Sequence, residues 1–316
     1  MSKLYDVIIL GAGPAGLSAG LYAGRYKLST LIIEKSQDGG QISITDEIEN
    51  YPGQVIDTDE SGSSLVARMT AQAAKFGCER ASANIVSVEL EGEVKKLTDA
   101  NGNVYEGRTV IIASGAHPRP IGCKNESDYV GKGISFCATC DANFFEDLEV
   151  YVVGGGDSAV EEAIYLTKFA RKVTIIHRRD ALRAAKSIQE KAFANDKIEF
   201  MWDSVVEEVS GDEILTKMLV KNVKTGEITT IEADEEDGLF GLFGFIGLIP
   251  NTELFADSKL NMENGYIVTD EDMHTNIEGV YAAGDVRKKS LRQVVTAAAD
   301  GAIAATMADK FVHGLI

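Results

Sequence analysis

Apolar residues in this chain fall into short, dense runs separated by glycine-rich turns and longer polar stretches. Residues 6–10 (DVIIL), 30–33 (TLII), 109–113 (TVIIA), 149–153 (EVYVV) and 172–176 (KVTII) are rich in β-branched side chains and show little polar alternation. Such runs predict strands buried on both faces, the habit of a parallel sheet. Residues 17–25, 64–76 and 160–169 suit helices, and Gly77 suits the C-terminal cap of the second. Residues 85–97 alternate in part through Val86, Val88 and Leu90, and Asn101-Gly102 is a hairpin-turn signal. Residues 200–211, 216–223 and 227–231 predict a small antiparallel meander, with Lys224-Thr225-Gly226 turning between its last two strands. Residues 239–248 predict one more buried strand, and residues 234–237 a solvated acidic loop. Residues 279–285 read as a strand running into a turn, and an alanine-rich helix extends from 292 to about 311.

Two of the buried runs open onto glycine motifs. Gly11-Ala12-Gly13-Pro14-Ala15-Gly16 follows the first strand directly, and the unit closes on the second strand and Glu34. Gly11 allows the tight turn, Gly13 lets the backbone approach a pyrophosphate, and Gly16 lets the helix pack on the strand. The helix N-terminus faces the phosphates. Glu34 stands eighteen residues past Gly16, where a carboxylate hydrogen-bonds a ribose hydroxyl. The pattern repeats from residue 149, with Gly154-Gly155-Gly156-Asp157-Ser158-Ala159 as the turn. Eighteen residues past Ala159 stands His177, followed by Arg178 and Arg179, with Arg183 one helical turn on. Arginines pair with a 2′-phosphate that an acid would repel. The first turn therefore fits a ligand with free ribose hydroxyls such as FAD, and the second fits NADPH rather than NADH.

The length of 316 residues predicts about two domains. A crossing falls at His117-Pro118-Arg119-Pro120 and a return near residues 243–247. The formal net charge of -18 argues against nucleic acid or an anionic membrane as a partner. The N-terminus lacks the features of a signal peptide, and the longest apolar stretch, residues 239–250, is too short for a membrane span and is interrupted by three glycines. Four cysteines do not make a disulfide scaffold, so a cytoplasmic location is expected. Cys137-Ala138-Thr139-Cys140, followed by Asp141, is by itself ambiguous between a redox disulfide, half of a zinc site and two unrelated thiols. Cys78 and Cys123 stand alone and read as buried apolar residues, so the second ligand pair of a structural zinc site is missing and no metal is expected. The glycine motifs on either side favour the redox reading: electrons pass from a nicotinamide to a flavin, then to this disulfide, then to a partner. Asp285, after a strand-end glycine, stands where an acid can hydrogen-bond a ribityl hydroxyl.

Together these residues resemble the low-molecular-weight thioredoxin reductases of bacteria, over essentially the whole chain. The resemblance rests on GAGPAG at 11–16, GGQ at 39–41, ENYPG at 49–53, CATCD at 137–141, GGGDSA at 154–159 and HRRDALR at 177–183. FIGLIPNT at 245–252, AAGD at 282–285 and RQVVTAA at 292–298 complete it. Three small departures are Ser114, Ala142 and Ala299, where the family usually has threonine, glycine and glycine; none removes a reacting group.

The resemblance implies an α/β fold of two Rossmann-like three-layer dinucleotide-binding domains, the second inserted in the first. The FAD domain would be residues 1–116 and 246–316, and the NADPH domain residues 117–245 with the redox disulfide. It implies flavin-site residues Gly11, Gly13, Pro14, Ala15, Gly16, Glu34, Lys35, Gly40, Gln41, Asn50, Ala113, Gly115, Gly284, Asp285, Arg292, Gln293 and Val294. For NADPH it implies Gly154, Gly156, Asp157, Ser158, Ala159, His177, Arg178, Arg179 and Arg183. Cys137 and Cys140 would be the exchanging pair and Asp141 the acid–base group, with the roles of the two cysteines left open. The partner would be thioredoxin or a thioredoxin-like protein, and the assembly a homodimer. Because disulfide and nicotinamide must both reach one flavin, the resemblance also implies rotation of the inserted domain about residues 116–120 and 243–247. Relatives that draw electrons from ferredoxin lack the second nucleotide motif, which is intact here. Relatives that reduce a peroxiredoxin-type partner usually carry an extra N-terminal domain. Glutathione-reductase-like enzymes carry their cysteines soon after the first βαβ unit, and residues 34–60 contain none.

Overall fold

The computed structural model describes residues 3–44, 48, 51–53 and 61–316. Two compact units divide the chain, Met1–His117 with Ile249–Ile316, and Pro118–Leu248. No helix among the described residues is long and apolar enough to cross a membrane.

The first unit begins with β1 (Leu4–Leu10), α1 (Pro14–Arg25) and β2 (Thr30–Glu34), the βαβ unit read from the sequence. Then come α2 (Gly62–Lys75), β3 (Glu79–Ser82), β4 (Ile85–Glu89), β5 (Lys95–Asp99), β6 (Val104–Ile112) and the linking strand β7 (Ala116–Pro118). The second unit contains the single-turn α3 (Glu126–Tyr129), β8 (Ile134–Ser135), the single-turn α4 (Ala138–Asp141), β9 (Glu149–Val153), α5 (Asp157–Leu166), β10 (Lys172–Ile176), α6 (Lys186–Phe193) and β11 (Ile198–Met201). It continues with β12 (Ser204–Ser210), β13 (Lys217–Asn222), β14 (Ile228–Glu232) and β15 (Gly241–Gly244). The chain returns through β16 (Leu248–Pro250) to β17 (Met262–Glu263), β18 (Tyr266–Ile267), β19 (Val280–Ala282) and α7 (Val294–Val312).

In the first unit β3, β2, β1, β6, β5 and β4 lie side by side, and β19 also pairs with β6. The β3-β2-β1-β6 core and β19 are parallel, whereas β4 pairs antiparallel with β5, and β5 with β6 through the Asn101-Gly102 turn. Side chains alternate across this sheet. Val7, Ile9, Ile111 and Tyr281 enter the core beneath α1, α2 and α7, while Ile8, Val110, Ile112 and Val280 enter the opposite core with Phe255 and Leu260. Burial on both faces is why the strands read as continuous apolar runs. The second unit repeats the plan with five parallel strands in the order β11-β10-β9-β15-β8. Val150, Val152, Val173 and Ile175 face α5, while Tyr151, Val153 and Ile176 face the β12–β13–β14 meander. The fold is α/β with parallel sheets, as the sequence predicts.

Several elements differ from their expected spans, and α1 and α5 each begin three residues earlier than expected. Residues 200–211 are not one strand: Asp203 takes a positive φ of 52° and separates β11, an edge of the parallel sheet, from β12 of the meander. Residues 239–248 break after Gly244, and residues 243 and 244 stay paired with β9 inside the second sheet. The helix expected from residue 64 starts at Gly62, because the Ser61 hydroxyl accepts from the Ser64 N–H at 3.1 Å and caps it.

Candidate active site

Cys137 caps the single helical turn α4, Cys140 lies within it, and the two are joined by a disulfide, with Cα atoms 5.3 Å apart. Four residues make too short a helix for a sizeable dipole, so nearby side chains dominate the local electrostatics. The buried Ser135 hydroxyl, at the end of β8, donates to Asp141 Oδ2 at 2.5 Å and accepts from the Cys137 N–H at 3.1 Å. One serine thus joins the acid to the cysteine backbone. Sequence reasoning missed it; the signal was a lone hydroxyl inside the apolar run of a buried strand. The other two cysteines stand apart. The Cys78 thiol donates to the Gly20 carbonyl, and burial pushes it to about 11. Burial pushes the Cys123 thiol to about 12, so both are poor sources of thiolate at neutral pH.

In the first unit the candidate residues gather at the carboxyl ends of β1, β2, β6 and β19, the edge where open α/β sheets hold ligands. Gly11 has φ of 110°, and a Cβ there would lie 2.3 Å from the Ala113 carbonyl oxygen. A Cβ on Gly16 would lie 1.9 Å from the Gly11 oxygen. Both glycines therefore hold the turn against its neighbours. Above Gly13 and Gly40, by contrast, the nearest atoms stand 3.9 and 3.8 Å away, and Gly13 caps α1 without a side-chain partner. Backbone N–H groups with room above them suit a phosphate. Pro14, Ala15, Lys35, Gln41 and Gly115 border the same turns, with Lys35 and Gln41 exposed. Glu34 is less free than its position in the sequence suggests. Its Oε2 accepts from the Ala12 N–H and its Oε1 from the Ser36 N–H, each at 3.0 Å, leaving its further lone pairs for a ribose. Asn50 lies outside the described residues.

The turn after β19 carries the most informative atom. Asp285 Oδ1 is buried and has no hydrogen-bond partner among the described residues. Burial raises the carboxyl above its usual range, against the pull of Lys289 and Arg292. The same turn is anchored by buried Asp300, whose Oδ2 accepts from the Gly284 N–H at 3.0 Å and from Lys289 at 2.8 Å, while Oδ1 accepts from Arg287 at 3.0 Å. Arg292 lies over the Tyr266 ring at 4.2 Å with its buried Nε unpartnered among the described residues. Gln293 and Thr296 form a capping box at the start of α7, and Val294 is buried behind it. An orphaned carboxylate oxygen, an orphaned guanidinium nitrogen and an open glycine turn on one sheet edge fit a flavin dinucleotide.

The second unit brings its candidates together in the same way. A Cβ on Gly155 would lie 2.3 Å from the His177 ring, and the Arg183 N–H donates to the Gly155 carbonyl at 2.6 Å. The loop after β10 therefore packs directly on the glycine turn. Gly156 caps α5 with open space around it, Ala159 is buried, and Asp157 accepts from the Ala185 N–H at 2.6 Å beside exposed Ser158. His177 is buried, with Nε2 unpartnered among the described residues, and burial together with Arg183 lowers its proton affinity. It contributes shape and a neutral ring rather than charge. The charge comes from exposed Arg178, Arg179 and Arg183, none of which forms an ion pair with a carboxylate among the described residues.

The pyridine nucleotide-disulphide oxidoreductase family model matches residues 5–301. The thioredoxin reductase of Peptoclostridium acidaminophilum is 57% identical over 99% of this chain and 98% of its own length. That of Bacillus subtilis is 45% identical over 99% of this chain and 96% of its own. The crystal structure of thioredoxin reductase from Streptococcus pyogenes, 45% identical, covers 99% of this chain and all of its own, with a TM-score of 0.88.

Proposed function

The chain belongs to the pyridine nucleotide-disulphide oxidoreductase family, and from that premise we propose that it is an FAD-dependent, NADPH-specific thioredoxin-disulfide reductase. The observation that carries the reading is a single fold holding a bonded Cys137–Cys140 pair and two glycine-rich turns whose second-strand ends differ in charge. Full-length likeness to chains named thioredoxin reductase supports the acceptor. Three arginines without carboxylate partners among the described residues support the donor, and the Asp285 and Arg292 atoms support the flavin.

When bound, FAD and NADPH would supply a hydride and pass it on as an electron pair to the disulfide. The chain's own groups do the rest. The backbone N–H groups above Gly13 and Gly156 hold phosphates, Asp285 holds a ribityl hydroxyl, and Arg178, Arg179 and Arg183 hold the 2′-phosphate. Once two electrons and two protons have opened Cys137–Cys140, one thiolate attacks the partner's disulfide. The other cysteine then displaces the reduced partner, re-forming the intramolecular bond. Asp141, kept in place by Ser135, gives and takes the proton of the departing thiol. The disulfide and the second glycine turn belong to one unit and the flavin residues to the other, so turnover needs the units to turn about their two connections; the first is at residues 116–120, and the second is at 248–249 rather than 243–247, because residues 243–245 are held on β9. A crosslink that fixed the units and left turnover unchanged would contradict that step. A homodimer built mainly through the first unit, in the cytoplasm, completes the reading; sedimentation at micromolar concentration tests the dimer.

Cysteine substitution separates the steps. In Cys137→Ser and Cys140→Ser, NADPH should still reduce the flavin while reduction of thioredoxin disappears. Thioredoxin turnover surviving either change would place the exchanging sulfurs elsewhere.

A further inference from the structure

The loop that presents Arg178 and Arg179 also presents Asp180. Asp203 lies beside it, its peptide N–H donating to the Arg179 carbonyl at 3.1 Å. Carboxylates so close to a phosphate-binding set of arginines would weaken it, by pairing with the arginines or by repelling the phosphate. Neither is left to do so. Lys224 Nζ lies 2.9 Å from Asp180 Oδ2 and 3.0 Å from Asp203 Oδ2. The lysine comes from the turn between β13 and β14, in a different sheet, and that turn is rigidly built. Asn222 Oδ1 accepts from the Lys224 and Thr225 N–H groups at 3.0 Å each, and the Val223 N–H donates to the Asp203 carbonyl at 2.6 Å. Lys224 holds the Asp180 carboxyl below its usual range, and the two aspartates raise Lys224 in return.

We propose that Lys224 is a positioning residue for donor selectivity: it occupies Asp180 and Asp203 and so leaves Arg178, Arg179 and Arg183 for a 2′-phosphate. This rests on the NADPH reading above. Without Lys224, Asp180 is free to turn onto its neighbouring arginines and to place negative charge where the phosphate binds.

The test compares the wild-type flavoprotein with Lys224→Met, Lys224→Arg and the triple variant Lys224→Met/Asp180→Asn/Asp203→Asn. Asparagine suits position 203 because it tolerates the positive φ there. The readouts are Kd for NADP+ and NAD+ on the oxidised protein, and KM and kcat for NADPH with oxidised thioredoxin. Lys224→Met should raise the NADP+ Kd and the NADPH KM by about three- to tenfold, the range for a pair of exposed ion pairs. The kcat and the NAD+ Kd should stay at wild-type values, Lys224→Arg should stay near wild type, and the triple variant should recover NADP+ affinity. Equal weakening of both nucleotides, or a fall in kcat, would mean a merely structural role and overturn the proposal. So would a triple variant that stays weak, since Lys224 would then touch the phosphate itself, or a Lys224→Met protein that binds as wild type does. If the wild type itself shows no preference for NADP+ over NAD+, the NADPH reading fails first and takes this inference with it.

Discussion

A buried carboxylate oxygen without a partner is costly in a folded protein, and Asp285 Oδ1 has none among the described residues. Burial raises the folded-state pKa of Asp285 above its unfolded value. The apoprotein is thus relatively favoured at pH values where this carboxyl is protonated, and loses that advantage as pH rises through the folded pKa. Asp285→Asn should therefore raise the melting temperature of the apoprotein at pH 7 by about 2–4 °C. The gain should vanish below about pH 4, where the unfolded aspartate is protonated too. On the proposed function the same variant should release flavin faster, because the group that costs stability is the one assigned to the ligand; scanning calorimetry and flavin fluorescence read the two effects. Ser135 makes a second residue-scale prediction. Ser135→Ala removes the hydroxyl that orients Asp141, so thiol–disulfide exchange should slow by about ten- to a hundredfold, the worth of one hydrogen bond to a charged group. Flavin reduction by NADPH, followed by stopped flow, should be unchanged. Neither Ser135 nor Asp300 nor Lys224 could be found from motif spacing. Each acts through a hydrogen bond or ion pair whose partner is fixed by folding: Asp300 reaches back to Gly284, and Lys224 to Asp180 and Asp203.

At the scale of elements, the glycine motifs and the buried runs were legible because their chemistry is local. A strand covered on both faces needs apolar residues on both faces, and the alternation of Val7, Ile8 and Ile9 between two cores shows that need met. The boundary at Asp203 was not legible, since a positive φ at a non-glycine residue is imposed by the packing around it. The small residues of the alanine-rich helix α7 serve its packing on α1. A Cβ on Gly301 would lie 2.0 Å from the Ala15 carbonyl oxygen, and the Ser18 hydroxyl donates to the Ala298 carbonyl at 2.6 Å. Here glycine lets two helices approach backbone to backbone, and α1 is the helix whose N-terminus forms the first nucleotide turn. Gly301→Ala should cost about 1–3 kcal/mol of stability through overpacking. Flavin content should fall with it, because displacing α1 displaces the turn at its N-terminus. Denaturant titration and the absorbance ratio of flavin to protein check both.

The whole molecule uses one construction twice, a strand, glycine turn, helix and parallel strand, built on β1 in the first unit and on β9 in the second, and makes the copies differ in charge and chemistry. Only the second unit is continuous in sequence, Pro118–Leu248, and it has its own two cores. Expressed alone it should fold, keep the Cys137–Cys140 disulfide and bind 2′,5′-ADP without any flavin; a fragment that stays unfolded by circular dichroism would show that its cores are not self-sufficient. The central claim, that electrons run from NADPH through this chain to thioredoxin, meets its most direct test in one assay. The flavin-loaded protein is mixed with oxidised thioredoxin and, in parallel, NADPH or NADH, and nicotinamide absorbance is followed. Rapid oxidation of NADPH that depends on thioredoxin, with NADH nearly inert, is the predicted result. Bleaching of the flavin by NADPH while thioredoxin stays oxidised would contradict the acceptor, and failure of NADPH to bleach the flavin at all would contradict the donor.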